Sequence, residues 1–342
     1  MLADGIPYPD FKEAVEQIAE LEEWYDFWVA KGEQYEGLGD AAVASGNRIS
    51  GGEWLWHGAL SFHYAQFMWF HEPARREHGQ RRKVELYNRA AGHLLPPAER
   101  IEIPFEGVTI PGFLRLPPGA RPSTGWPCAL LLGGLESTKE ESLLFEHMCL
   151  RRGVATFAFD GPGQGELFLD APLQPNFERY TSAVVDDLER KPDLDRSRLG
   201  VLGRSLGGHY AIRSAARDPR LRACVAWGFF YDMTDFDTMP PPTQRGFAYV
   251  TGRADPEEAK PYLQDALSLE DVAGDLRAPT LLLNGRHDPI FPPRQMELVI
   301  DALAAAPVEV VIEEAGDHCC HNMAHLIRPR MADWLAAALR GG

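Results

Sequence analysis

Positive charge is scarce in this sequence: 34 lysines and arginines stand against 50 aspartates and glutamates, a formal charge of −16. A field of that sign repels phosphate backbones and anionic membrane surfaces, so nucleic acid and membrane are not expected as partners. Long apolar runs are missing too, none approaching the ~18 to 20 residues of a membrane helix. The opening MLADGIPYPDFKEAVEQ lacks the basic and then apolar layout of a secretory signal. Cysteine is sparse and odd in number. Of Cys128, Cys149, Cys224, Cys319 and Cys320 only the last two are neighbours, which argues against a disulfide framework and for a reducing, cytoplasmic setting. Internal repeats and low-complexity tracts are absent. What is present, 45% apolar and 25% charged residues over 342 positions, is an ordinary globular composition with material for about two domains.

The sequence changes character near residue 98. Before it, residues 11–31, 53–71 and 81–94 carry apolar positions at three- and four-residue spacing, with breaks expected at Gly37, Gly39, Gly46, Asn47, Gly51 and Gly52. Residues 1–98 therefore read as an all-helical domain. It holds Trp24, Trp28, Trp54, Trp56 and Trp69. Such aromatics either form a helical core or line a pocket for a flat substrate, for which Trp54, Trp56 and Trp69 are the candidates. After Leu95-Pro96-Pro97 the period becomes strand-like. IEIPFE and VTIPGFLRLP alternate as a hairpin does, and PCALLLGG (127–134) suits a strand buried on both faces. Strand-like runs at 153–160, 199–203, 223–230, 280–285 and 308–314 then alternate with helical stretches at 140–152, 178–190, 206–217 and 293–305. That rhythm predicts a mostly parallel sheet with helices on both faces over residues 99–342. Residues 232–277, with three consecutive prolines (Pro240, Pro241, Pro242), interrupt the rhythm as a cap-like insertion over the sheet's carboxyl edge would.

Chemistry concentrates where strands end. Gly203-Arg204-Ser205-Leu206-Gly207 follows the run LGVLG and precedes a helical pattern, the strand-turn-helix setting of a nucleophile elbow. A serine hydroxyl needs a base, and the base an orienting carboxylate. Asp288, in Asn284-Gly285-Arg286-His287-Asp288-Pro289, and His318, in Ala315-Gly316-Asp317-His318, follow later strands in the order this arrangement demands. Asp232, Asp235 and Asp237 are rival orienting acids. Acyl chemistry also needs two backbone donors for an oxyanion. Leu206, after the nucleophile, supplies one; Gly134 in Gly133-Gly134-Leu135-Glu136-Ser137 supplies the second, with Leu135 as the alternative. Leu135, Glu136, Asp160, Glu166 and Asp232 are candidate substrate contacts. The run His318-Cys319-Cys320-His321-Asn322-Met323-Ala324-His325 invites a zinc reading, but its spacing matches no common structural site, so no metal is expected.

Taken together, GGLESTKEES (133–142), FDGPGQGE (159–166), YTSAVVDDLE (180–189), LGRSLGGHYA (202–211) and GDHCCHN (316–322) closely resemble the α/β-hydrolases typified by 2,6-dihydroxypseudooxynicotine hydrolase, a C–C bond hydrolase of nicotine breakdown. Fungal pigment hydrolases that shorten polyketides look like related members. The match runs over most of residues 98–342, and the preceding helices fit the family's extra N-terminal domain, which covers the active site. The resemblance implies an α/β-hydrolase fold, Ser205, Asp288 and His318 as triad, no cofactor, a cytoplasmic homodimer, and a small-molecule substrate that is an acylated aromatic or a polyketide-like β-dicarbonyl. It implies C–C cleavage beside a carbonyl, with esterase, thioesterase or acyltransferase chemistry as the alternative. The family's nicotine enzyme also uses an acidic residue after the strand that here ends in Phe230. This sequence departs from it there, with Tyr231-Asp232-Met233-Thr234-Asp235-Phe236-Asp237 before the prolines, and the role transfers to no single residue.

Overall fold

The computed structural model describes residues 1–67, 69–303 and 305–341, and the chain divides into two compact units. The first comprises Met1–Arg100 together with Glu140–Phe145. Its helices are α1 (Tyr8–Gln17), α2 (Glu23–Ala44), α3 (Arg48–Gln66) and α4 (Pro73–Ala91). The single helix expected over 11–31 is two, because the Glu23 carboxylate turns back to accept the backbone N–H groups of Ala19 and Glu20, which starts a new helix. The glycine breaks are also corrected. Gly46, at φ 82°, does end α2, but Gly37 and Gly39 lie inside α2 and Gly51 and Gly52 inside α3. Two of these glycines are needed for close approach: a Cβ on Gly51 would stand 3.2 Å from Gly39 O, and one on Gly39 2.7 Å from Leu55. Glycine thus lets α2 and α3 pack backbone against backbone, and packing overrides poor helix propensity.

The first unit buries charge as well as aromatics. Lys83 Nζ lies 3.4 Å from Glu140 and donates to Gln80 Oε1 at 2.8 Å, and His63 Nε2 lies 3.0 Å from Glu141. All of these side chains are out of solvent. Burial holds His63 below the ordinary histidine range, against the pull of Glu141.

The second unit is Ile101–Lys139 with Glu146–Gly342. Along the chain run β1 (Ala98–Phe105), β2 (Val108–Arg115), β3 (Trp126–Leu132), α5 (Leu143–Leu150), β4 (Ala155–Phe159), α6 (Phe177–Leu188), β5 (Leu194–Arg204), α7 (Leu206–Arg217) and β6 (Leu221–Trp227). Then come α8 (Pro241–Val250), α9 (Pro256–Ala266), β7 (Thr280–Gly285), α10 (Pro293–Ala302), β8 (Val308–Glu313) and α11 (Ala324–Arg340). Among the described residues the strands form one sheet in the order β1-β2-β4-β3-β5-β6-β7-β8. Strand β2 pairs antiparallel with β4, and β4 through β8 pair parallel. Glu106 and Gly107, both at positive φ, make the two-residue turn between β1 and β2. Strands β4 and β7 are buried along their whole length, and β3, read from sequence as a strand buried on both faces, is buried from Pro127 to Leu132. β6 ends at Trp227 rather than at Phe230; Gly228, at φ 67°, turns the chain out of the sheet. The stretch expected as an insertion carries α8 and α9 between β6 and β7.

Candidate active site

Strand β5 occupies a central place in the sheet, between β3 and β6, and its carboxyl end delivers Ser205. Ser205 sits at φ 57° and ψ −120°, a sparsely populated conformation costing ~1–3 kcal/mol. Its N–H donates to Trp227 O at 2.7 Å. The turn is possible only because its neighbours lack side chains: a Cβ on Gly203 would lie 1.8 Å from Gly207 O, and one on Gly207 2.4 Å from both Gly133 O and Leu132 O. The glycine spacing of the motif is a steric requirement.

Two later loops bring the remaining groups. Asp288 follows β7, and its Oδ1 accepts the N–H groups of Ile290 and Phe291 at 2.8 and 3.0 Å. His318 follows β8. The loops are stitched together by hydrogen bonds from Arg286 N to Glu313 O and from His287 N to Gly316 O. His318 Nδ1 meets Asp288 Oδ2 at 2.7 Å, and its Nε2 meets Ser205 Oγ at 2.9 Å. A carboxylate can only accept, so the proton of neutral His318 belongs on Nδ1, leaving the Nε2 lone pair for the serine hydroxyl. Burial alone would disfavour the imidazolium. The Cys319 sulfur and the Asp288 carboxylate outweigh it, and the pKa of His318 is raised well above the ordinary value.

Around the hydroxyl lie backbone groups suited to a developing oxyanion. Leu206 is the first residue of α7, where N–H groups have no partner within the helix. Gly134 packs against the serine, since a Cβ there would be 3.1 Å from Ser205 Cβ. Gln164 Nε2 fixes this loop by donating to Gly133 O at 2.6 Å and, more distantly, to Gly134 O.

Residues 22–240 match the family described as Esterase FrsA-like, and residues 174–341 match the Prolyl oligopeptidase family. The chain is 44% identical over 344 residues to the 2,6-dihydropseudooxynicotine hydrolase of Paenarthrobacter nicotinovorans, covering 100% of this chain and 91% of that protein. The chain belongs to the α/β-hydrolase family. It is a hydrolase of that family, as the resemblance of its motifs implies. The crystal structure of the 2,6-dihydroxy-pseudo-oxynicotine hydrolase superposes with a TM-score of 0.93 at 43% identity, covering 99% of this chain and 94% of that one. The alpha/beta hydrolase gkaG of Penicillium citrinum is 35% identical over 242 residues, 67% of this chain and 56% of its own length.

Several sequence candidates have other work. Asp232 accepts from Thr234 and from Gln295, Asp235 accepts from Gln295, and Asp237 pairs with Lys260, so none of the rival acids orients His318. Asp160 is buried. Its carboxylate accepts Lys139 N at 2.9 Å, Lys139 Nζ at 2.8 Å and Glu166 N at 3.0 Å, which corrects its reading as a substrate contact. Glu166 joins the same network, 2.9 Å from Lys139 Nζ. Trp56 and Trp69 pack inside the helical unit, Trp56 on His57 and over Gly5, Trp69 on Tyr25 with its Nε1 donating to Glu72. Trp54 and Glu136 are half-buried, and Leu135 is buried beside Gly134. Of the His/Cys run, His318 belongs to the chain of hydrogen bonds above and His321 lies against the Trp227 ring. A surface groove of about 630 Å³ bounded by Phe105, Glu178 and Arg179 includes none of Ser205, Asp288 and His318. Lys139 and Gln164 were not singled out from sequence. Both lie among polar or small residues, Lys139 in ESTKEES and Gln164 in GPGQGE, so no apolar run marked either as buried.

Proposed function

We propose that the protein is a serine hydrolase that cleaves a C–C bond beside a carbonyl, in an acylated aromatic or a polyketide-like β-dicarbonyl substrate. The observation that carries serine-dependent acyl chemistry is the unbroken chain Asp288–His318–Ser205, 2.7 and 2.9 Å in its two links. Ser205 Oγ adds to the carbonyl carbon as His318 Nε2 takes its proton. Charge gathers on the carbonyl oxygen, where Leu206 N–H and the N–H of Gly134 or Leu135 receive it. The bond to the ring or enol carbon breaks, and the imidazolium returns its proton to that carbon. Water, deprotonated by His318, then releases the acid and restores the serine. Similarity along the whole chain to 2,6-dihydropseudooxynicotine hydrolase supports the choice of carbon leaving group. The second reading, ester or thioester hydrolysis or acyl transfer by the same residues, is favoured by the match to Esterase FrsA-like; a triad fixes acyl chemistry but not the leaving atom. A panel of acylated phenols and pyridines, β-diketones, esters and thioesters, with products identified by mass, decides between them. Turnover of ketones with release of a carboxylic acid is expected; turnover of esters alone would replace the C–C reading.

The helical unit is proposed to be required for the large substrate. Its aromatic content supports this, as does the grouping of Glu140–Phe145 with it. A chain beginning near Glu99 is expected to aggregate, or to lose the native reaction far more than hydrolysis of a small acetate ester. Equal retention of both activities would show that the helices serve another purpose.

A further inference from the structure

Two consecutive non-glycine residues after His318 hold left-handed backbone, Cys319 at φ 54° and Cys320 at φ 47°. Such conformations cost about 1 kcal/mol or more each and persist only where the surroundings enforce them. Here Trp227 Nε1 donates to Cys319 O at 2.5 Å, and the missing side chain of Gly228 leaves room for the thiol, since a Cβ there would lie 2.2 Å from Cys319 Sγ. The result is a placed sulfur. Sγ stands 3.5 Å from His318 Nε2, the nitrogen that also meets Ser205 Oγ. The other neighbour of the thiol is Trp227 O, at 3.7 Å. A thiol is a weak donor and its sulfur a weak acceptor. With its hydrogen on the carbonyl, the sulfur turns a lone pair toward Nε2.

We infer that Cys319 is a positioning residue for His318, its sulfur serving as a second acceptor for the Nε2 proton. The inference rests on the triad reading above. When Ser205 gives up its proton, the imidazolium N–H is held between the serine oxygen and the sulfur until the leaving group takes the proton; the sulfur makes and breaks no covalent bond. The groups facing His318 are Asp288 at Nδ1, Ser205 and Cys319 at Nε2, and the Phe291 ring at 5.6 Å. Of these, the sulfur and the carboxylate favour the charged ring, in the direction of the raised pKa.

The test is the pH dependence of Ser205 labelling by a fluorophosphonate, which needs neutral His318 but no particular substrate. The rate in the native protein rises with pH as His318 loses its proton. Removing the sulfur in Cys319→Ala weakens the imidazolium and is expected to move the midpoint down by about half a pH unit or more. Cys319→Ser, which keeps a shorter-reaching acceptor, moves it down by less and serves if the alanine variant does not fold. Cys320→Ala removes the neighbouring buried thiol from a residue of the same backbone conformation and leaves the midpoint in place. A midpoint unmoved in the Cys319 variants, or moved equally by Cys320→Ala, overturns the inference while leaving the triad standing. Failure of Ser205 to be labelled at any pH would remove the triad itself.

Discussion

Ser205→Ala and His318→Ala are each expected to lower kcat by about 10⁴-fold or more while the protein stays folded. In the proposed mechanism the first removes the atom that attacks. The second leaves a hydroxyl that is a poor nucleophile at neutral pH, with no group in reach to take its proton. Ser205→Ala loses one oxygen, whereas His318→Ala empties the space of a ring that is only 16% exposed, so folding is checked for both. Far-ultraviolet circular dichroism and urea midpoints close to those of the native protein would confirm that the loss is chemical. The two variants should be about equally inactive, and combining them should add little, because each alone disables the same step. A His318→Ala protein with a tenth of native activity would sink the assignment. Asp288→Asn should be severe as well, since an amide can donate to Nδ1 and so favour the wrong tautomer. If Asp232→Asn proves worse, the orienting acid is misassigned, although its hydrogen bonds to Thr234 and Gln295 argue otherwise. Because the pKa of His318 is raised, the base form gathers only as pH climbs through that raised value. The acid limb of kcat/KM should therefore lie above the ordinary histidine range.

Lys139→Met is expected to cost about 3–5 kcal/mol of folding stability, read as a fall in the urea midpoint with little change in m. Methionine matches the length of lysine but leaves the Asp160 carboxylate buried without its cation, and Asp160 is only 1% exposed. Glu166 loses the same partner but is more exposed, so it suffers less. The loop that holds these acids also presents Gln164, which fixes the carbonyls of Gly133 and Gly134. Activity per folded molecule should therefore fall alongside stability. The double variant Lys139→Met/Asp160→Asn should recover part of the lost stability, because the stranded charge is gone. A stability change below about 1 kcal/mol for Lys139→Met would mean that water or a rearranged side chain reaches Asp160.

The strands and the elbow were legible in the sequence because their physics is local. Strands β4 and β7 are buried along their whole length and so are mostly apolar, and Gly203 and Gly207 are fixed by contacts within a few ångströms of Ser205. The placing of Asp288 and His318 in loops after later strands was legible through their order; their catalytic roles belong to the proposal. The helical unit was read less well, since Gly39 and Gly51 are helix residues only because another helix lies against them, which no single-segment pattern reveals. The same holds for Asp160. It was a candidate substrate contact, but its partner Lys139 is 21 positions away and makes it a buried, paired acid. Trp56 and Trp69 could have formed a helical core or lined a pocket on composition alone; their contacts with Gly5, His57, Tyr25 and Glu72 are tertiary.

The grouping of Glu140–Phe145 with the helices bears on the order in which the chain can mature. A ribosome releases α1 to α4 first, and those helices carry the Lys83 ammonium and the His63 ring at positions destined to be sealed from water. Their acidic partners arrive only after β1, β2 and β3 have been made. Until then a tightly closed helical unit would bury the Lys83 ammonium without the Glu140 carboxylate that lies 3.4 Å from it, at a cost of several kcal/mol. Full closure of the nascent helices is therefore disfavoured until a segment translated some forty residues later supplies those carboxylates.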